Sequence, residues 1–412
     1  MNSWSMSRAV PAKRLWAFIA TCAAAALPTA TTAVPYVPAD DQQIVERLPY
    51  TPSDPTTREL RRLREQLRRE PENLKLAVRL ARRYIEVGRI TADPRYAGYA
   101  QAALGPWWDL KAPPVEVLVL RATLLQRMHD FRAALADLDT VLKSHPYAAQ
   151  ARLTRATVLQ VQGFYDRAKE ECLALRALVD ELVWAACLAN VTSLNGDLRA
   201  SHDRLRTVLQ RHPDADADTR SWVLTMLAEM AARAGMPEAA EQHFRAALAV
   251  GGEDSYLLGA YSDFLLDAGR PAEVAALLKD KTRADALLLR YALALEALRS
   301  KDLPAQVEQL RARFEASRLR GDRVHLREEA RFTLHLLGDA TTAANLAREN
   351  WRVQREPADA QILFEAALAA RDESALDTLR GWLARTRLED VHLRGLVAPS
   401  VRPVASSSRT QL

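Results

Sequence analysis

From Thr56 onward, apolar side chains recur at the three- and four-residue steps of a helix face. Leu60, Leu63, Leu67 and Leu74 show the spacing first, then Leu118, Ala122 and Leu125, then Leu135, Leu138 and Leu142. Segments of about a dozen residues with this spacing alternate with short breaks, and no convincing run of strict apolar–polar alternation appears. The pattern predicts an all-α chain. Ahead of it, residues 34–55 carry Pro35, Pro38, Pro49, Pro52 and Pro55. Proline lacks an amide hydrogen and restrains its predecessor, so this stretch predicts an extended linker, or a strap lying on the first helices. Behind the helical pattern, residues 397–412, with Ala405-Ser406-Ser407-Ser408-Arg409, predict a disordered tail.

The breaks recur in register. His129-Asp130-Phe131, Gly163-Phe164-Tyr165, Gly196-Asp197-Leu198, Gly235-Met236-Pro237, Gly269-Arg270-Pro271 and Gly338-Asp339-Ala340 align. The steps from 129 to 163, 196, 235 and 269 are 34, 33, 39 and 34 residues. A unit around Lys301-Asp302 is degenerate, and one around Arg371-Asp372 is weaker again. Seven residues before the first five anchors stand Ala122, Ala156, Ala189, Ala228 and Ser262. Five residues after them stand Ala134, Ala168, Ser201, Ala240 and Val274. Small side chains at both offsets let the two helices of a hairpin cross closely, where a large one would hold the backbones apart. Pro146 and Pro213 each follow their anchor by 17 residues, where the second helix should end.

A period near 34, a Gly-Asp or Gly-Phe turn, small crossing residues and a closing proline resemble the tetratricopeptide repeat. Leu224, Leu227, Ala228, Gly235, Ala240, Phe244 and Ala247 resemble its motif most closely. The resemblance covers roughly residues 74–280 well and 283–385 loosely. It implies an all-α solenoid of stacked antiparallel helix-turn-helix repeats wound into a right-handed superhelix. The repeats occupy 56–280, with degenerate ones at 281–396. The first unit departs from the pattern: Thr91 to Arg95 read as an insertion, and Trp107-Trp108 follow a Gly-Pro break. Asp214-Ala215-Asp216-Ala217-Asp218 supply the longer loop that the 39-residue step needs.

The 412 residues are 49% hydrophobic and only 6% aromatic, and the commonest residues are strong helix formers. The first 33 residues read differently, as a signal peptide. Arg8, Lys13 and Arg14 form a basic start, Leu15 to Leu27 carries no charge, Pro28 ends it, and Thr31-Thr32-Ala33 offers a cleavage site. The apolar stretch is short for a bilayer span. The expected location is the periplasm or another exported compartment. A cysteine after an apolar run is also where bacterial lipoproteins are acylated, so Cys22 offers a membrane-anchored alternative, although Thr21 stands where Gly or Ala is usual. Removing Arg8, Lys13 and Arg14 takes the formal +5 to about +2, too little to imply a nucleic-acid partner.

Candidate chemistry is sparse. There is no His-Glu-x-x-His, Gly-x-Ser-x-Gly, phosphate loop or Cys-x-x-Cys, so neither a catalytic site, a metal nor a cofactor is expected. His325, Glu329 and His335 are the nearest approach to a ligand cluster, and the spacing of His335 favours solvated helix residues. Cys172, on a predicted helix 165–178, and Cys187, on 181–195, stand equally far from the middle of their turn. A disulfide requires an unusually close crossing, which Ala174, Ala185 and Ala186 permit; two buried thiols are the alternative. Residues 58–83 predict one basic helix with ten Lys/Arg against four Glu. It is either a solvated face or a contact for an anionic membrane surface. Trp107 and Trp108 read as a core cap or a partner anchor.

In a solenoid of this type the first helix of each hairpin lines a concave face, which in tetratricopeptide proteins usually receives an extended peptide. The register projects Val119, Thr123, Gln126, Leu153, Thr157, Gln160, Asn190, Ser193, Trp222, Thr225, Glu229 and Tyr256 onto it. Only Asn190 matches part of the Lys/Arg–Asn clamp by which some family members hold chaperone C-termini. The resemblance implies a non-catalytic scaffold binding another protein or peptide in the cell envelope. A component of a secretion, polysaccharide-export or cofactor-maturation assembly, or an enzyme with an unrecognised site, are the alternatives.

Overall fold

The structure, a computed structural model, describes Asp40 and residues 54–251, 254–322 and 324–397. The predicted signal peptide, Cys22, nearly all of the linker and the tail beyond Val397 lie outside the described residues. The helices all fall within one compact unit that begins at Pro55.

Among the described residues there are helices and no strands. After α1 (Pro55–Arg69) come α2 (Leu74–Thr91) and α3 (Arg95–Ala103), then the single turn α4 (Gly105–Trp108). Regular pairs follow: α5 (Val115–Arg127) with α6 (Phe131–Ser144), α7 (Ala149–Val161) with α8 (Tyr165–Ala174), and α9 (Glu181–Ser193) with α10 (Leu198–Arg211). Next are α11 (Ala217–Arg233) with α12 (Pro237–Gly251), α13 (Ser255–Asp267) with α14 (Pro271–Leu278), and α15 (Asp285–Ala297) with α16 (Leu303–Leu319). The last pairs are α17 (Leu326–His335) with α18 (Ala340–Val353) and α19 (Pro357–Ala370) with α20 (Glu373–Thr386), closed by α21 (Val391–Val397). This is an all-α solenoid of helical hairpins. The predicted basic helix 58–83 is in fact two helices: the chain breaks at Glu70–Asn73, and Asn73 caps α2 by accepting from the Leu76 amide. Leu60 and Leu63 of α1 are buried, while its arginines project into solvent.

Each hairpin turns through one residue in the left-handed region: Ala92, His129, Gly163, Gly196, Gly235, Gly269, Arg299, Gly338 and Arg371. The next amide typically closes the helix on a carbonyl five residues back, as Phe164 does on Leu159 and Arg270 on Leu265. An aspartate following the turn then caps the second helix: Asp130, Asp339 and Asp372 accept from the amides of Ala133, Thr342 and Ala375. The degenerate unit places its turn at Arg299, two residues before Lys301. A side chain in this conformation costs about 1–2 kcal/mol, partly offset by the chain entropy glycine would lose. Exposed Arg299 changed to Gly should therefore gain about 0.5–1 kcal/mol in urea unfolding. His129→Gly should gain less, because the His129 ring stacks on Phe131 at 5.4 Å.

All ten residues at the two crossing offsets are buried, among them Ala122, Ala134, Ala156, Ala168, Ser201 and Ser262. First helices such as α9, α11 and α15 bury side chains all round, because hairpins flank them on both sides; second helices such as α6, α10 and α18 keep one polar face.

The solenoid is wound tightly enough to touch itself. Arg89 at the end of α2 pairs with Asp254 ahead of α13, and the Ser255 hydroxyl donates to Ile90 O, each contact spanning 165 residues. The Arg355 amide donates to Val161 O, and the Tyr165 hydroxyl donates to Arg355 O, 190 residues away. The Leu198 amide donates to Glu389 across 191 residues. Hairpin turns of one superhelical coil thus sit on the connections between hairpins of the next, about five repeats later. Glycine is needed at this seam for space as well as conformation. A Cβ at Gly196 would lie 3.1 Å from that of Arg387, and one at Gly235 would lie 3.1 Å from Val391 Cγ1.

Candidate functional site

The first helices form the inner wall. Six residues before the left-handed turn residue, successive hairpins place Thr123, Thr157, Asn190, Glu229 and Asp263, a ridge that passes from neutral to acidic. The α17–α18 turn is one residue longer, since the Asp339 amide reaches back six residues to Thr333 O. That extra residue moves the ridge to Arg331, which reaches Asp263 at 3.0 Å. Glu365 continues it on α19 and meets His335 at 2.9 Å.

A charged cluster has grown around this ridge. Asp263 is also bound by Arg290, which lies over Gly259 and donates to its carbonyl. Arg327 faces Glu328 and Glu356 at 3.3 Å and Asp359 at 3.4 Å. Asp359 further accepts from Asn350 and Gln354. Arg233 donates to Ser193 O and Oγ and feels Asp390, Glu229 and Tyr165. Asp267 faces His392 at 3.9 Å. Eight carboxyls (Glu229, Asp263, Asp267, Glu328, Glu356, Asp359, Glu365 and Asp390) thus share this region with the guanidiniums of Arg233, Arg290, Arg327 and Arg331 and the imidazoles of His335 and His392.

Burial pushes Glu229 up to about 7 and Asp267 up to about 6. Burial also raises Glu356 and Asp359, which repel each other. Glu328, despite burial, is brought down to about 2 by Arg327 and Arg290. Glu229 has no ion-pair partner among the described residues; it accepts the Tyr256 hydroxyl at 2.7 Å. Tyr256 leaves 64% of its surface open, and its hydroxyl feels the charges of Glu229, Glu356 and Arg327.

The predicted wall residues divide into three sets. Val119, Thr123, Gln126, Leu153, Thr157, Gln160 and Asn190 are half-buried. The Thr123 and Thr157 hydroxyls donate back to Val119 O and Leu153 O, both at 3.0 Å. Leu153 lines a cleft with Gln150 and Val183 under the connection at Leu178–Asp180. Ser193 and Thr225 are buried, which corrects their assignment to a ligand-facing surface. Ser193 is covered by Arg233 of the next first helix, and Thr225 donates within its own helix to Ser221 O. Trp222, at 40%, and Tyr256 are the large exposed side chains of the set, and Glu229 joins Tyr256. Arg327, Arg331, Glu356 and Asp263 were not in the sequence-derived set. For Arg331 the available signal was Ala330, which stands eight residues before Gly338, where the register asks for seven; Asp263 stands at the regular offset from Gly269.

Other candidates separate. Glu329 pairs with Arg318 and His335 with Glu365, so His325, Glu329 and His335 do not converge. Among the described residues no group of three or more His, Cys, Asp or Glu could hold a metal ion, and no helix is long and apolar enough to cross a membrane. Trp107 and Trp108 are half-buried beside α5, where Arg121 lies 5.8 Å from the Trp108 ring. Cys172 and Cys187 form a disulfide with Cα atoms 5.6 Å apart. Ala185 and Ala186 are buried beside it, whereas Ala174 is exposed and takes no part in the close approach.

No family model and no curated protein matches the chain. Solved structures similar to it include a tetratricopeptide repeat protein from Parabacteroides merdae ATCC 43184, at 14% identity and a TM-score of 0.42, with 58% of this chain and 92% of that one covered. The P58(IPK) TPR domain is similar at 17% identity and a TM-score of 0.23, with 78% of this chain and 96% of that one covered.

Proposed function

We propose that the protein is a non-catalytic scaffold that holds an extended peptide segment of a partner protein against its inner wall, in the periplasm or another exported compartment. The observation that carries the binding site is the exposure of Trp222 and Tyr256 on a wall where Val119 and Leu153 are half-buried. Exposed aromatic rings beside half-buried threonines and asparagine suit a main chain that needs hydrogen bonds and a few side-chain anchors. The Cys172–Cys187 disulfide supports the exported location, because such bonds persist where thiols are not kept reduced.

Crosslinking in intact cells tests the site. Trp222→Ala with Tyr256→Ala should lower recovery of crosslinked partner about tenfold or more, as loss of aromatic anchors does, with helical circular dichroism unchanged. Full recovery with the fold intact would remove the inner wall from consideration.

A further inference from the structure

We propose that the segment held on this wall is basic, and that one arginine or lysine side chain lies on the open face of Tyr256 with its charge against Glu229. The inference rests on the inner wall being the binding site and adds the chemistry of what it binds. Two observations and a general property of aromatic rings carry it. The Tyr256 hydroxyl is fixed on Glu229 at 2.7 Å, which leaves the ring itself free and 64% exposed. A cation over a tyrosine face is favoured by the ring's quadrupole, more so where water is partly excluded. Glu229 has no cation of its own among the described residues, and Arg233, the nearest on its helix, is turned away to donate to Ser193.

The surroundings agree with the assignment. The groups whose charge or hydrogen bond acts on Glu229 are Tyr256 and Asp263 from α13, Arg233 from α11 and Glu356, the N-cap of α19. Arg327 stands near Tyr256, but Glu328, Glu356 and Asp359 already surround it. The chain as a whole carries a formal charge of +5, so attraction of a basic peptide would not come from net charge. It would come from this wall, where carboxyls outnumber guanidiniums. An incoming cation would also displace the proton that Glu229, pushed up to about 7 by burial, holds in mildly acid solution. Affinity should therefore rise from pH 6 to pH 8, as the carboxyl ionises.

Fluorescence anisotropy with three labelled peptides of equal length tests this. They carry arginine, glutamine or glutamate at every third position. The arginine peptide should bind about tenfold more tightly than the glutamine peptide, and more tightly at pH 8 than at pH 6. Glu229→Gln should remove most of that advantage and flatten the pH dependence, whereas Glu229→Asp should retain part of both. Equal binding of the arginine and glutamine peptides, or unchanged arginine-peptide binding in Glu229→Gln, would overturn the proposal. If the glutamine peptide binds as well and Trp222→Ala abolishes it, the wall remains the site and only its preference for a cation falls. If no peptide binds, the cation preference falls, and the crosslinking result decides separately whether the wall binds a partner.

Discussion

Changing Trp382 to alanine should destabilise the protein by about 3–5 kcal/mol, the range for emptying a buried tryptophan site. Trp382 of α20 is 4% exposed and packs edge-on against Trp351, ring centroids 5.0 Å apart. Its indole also approaches Gly163, in the α7–α8 turn more than two hundred residues earlier. The side chain therefore joins two coils of the solenoid as well as filling a core. In a simple stack of repeats, stability is a sum over neighbours and damage stays local. Here the seam links hairpins about five repeats apart, so the intact chain should unfold over a single transition. Trp382→Ala should separate α17–α21 from the rest, giving two transitions in urea and faster amide exchange in α19–α21 than in α5 and α6. Trp382→Phe should cost far less, because Nε1 has no hydrogen-bond partner to lose. A loss below 1 kcal/mol, or exchange that rises equally everywhere, would show that the seam does not couple the coils.

The hairpins were legible because their determinants are local. A left-handed turn residue, an aspartate cap and small residues at two fixed offsets lie within about twenty residues, and each acts on its own hairpin. Ala122, Ala134, Ala168 and Ala240 are buried where the register puts them. The seam was not legible. Whether Gly196 meets Arg387 depends on the sum of small rotations across several repeats, and no single residue encodes that sum. The wall was read in part. Glu229, Tyr256 and Trp222 came from projecting an average register, which holds where turns have equal length. It missed Arg331 because the α17–α18 turn holds one extra residue, and it misplaced Ser193 because the Arg233 side chain crosses from the next hairpin to cover it. The repeat pattern gives positions on a wall, whereas long side chains from neighbouring repeats decide which positions remain open.

Reduction of the Cys172–Cys187 bond should lower stability by about 3 kcal/mol, the loop-closure value for a bridge that spans about 15 residues. The bond joins α8 to α9 and is buried, with Cys172 at 0% and Cys187 at 6% exposure. The reduced thiols would be tolerated in that core as small apolar groups, so the fold should survive and the loss should come mainly from the freer unfolded chain. Helix α8 stops at Ala174, and residues 175–180 turn the chain into α9, which lets two adjacent helices approach more closely than the 8–10 Å usual between axes. The urea midpoint should fall on adding a reductant that is strong enough to open a buried bridge. The double variant Cys172→Ala, Cys187→Ala should start from the lower midpoint and ignore reductant. If wild type ignores reductant as well, and both thiols alkylate after unfolding without it, the bridge does not form. The exported location would then lose its structural support, while the inner-wall binding site, which does not depend on the bond, would be unaffected.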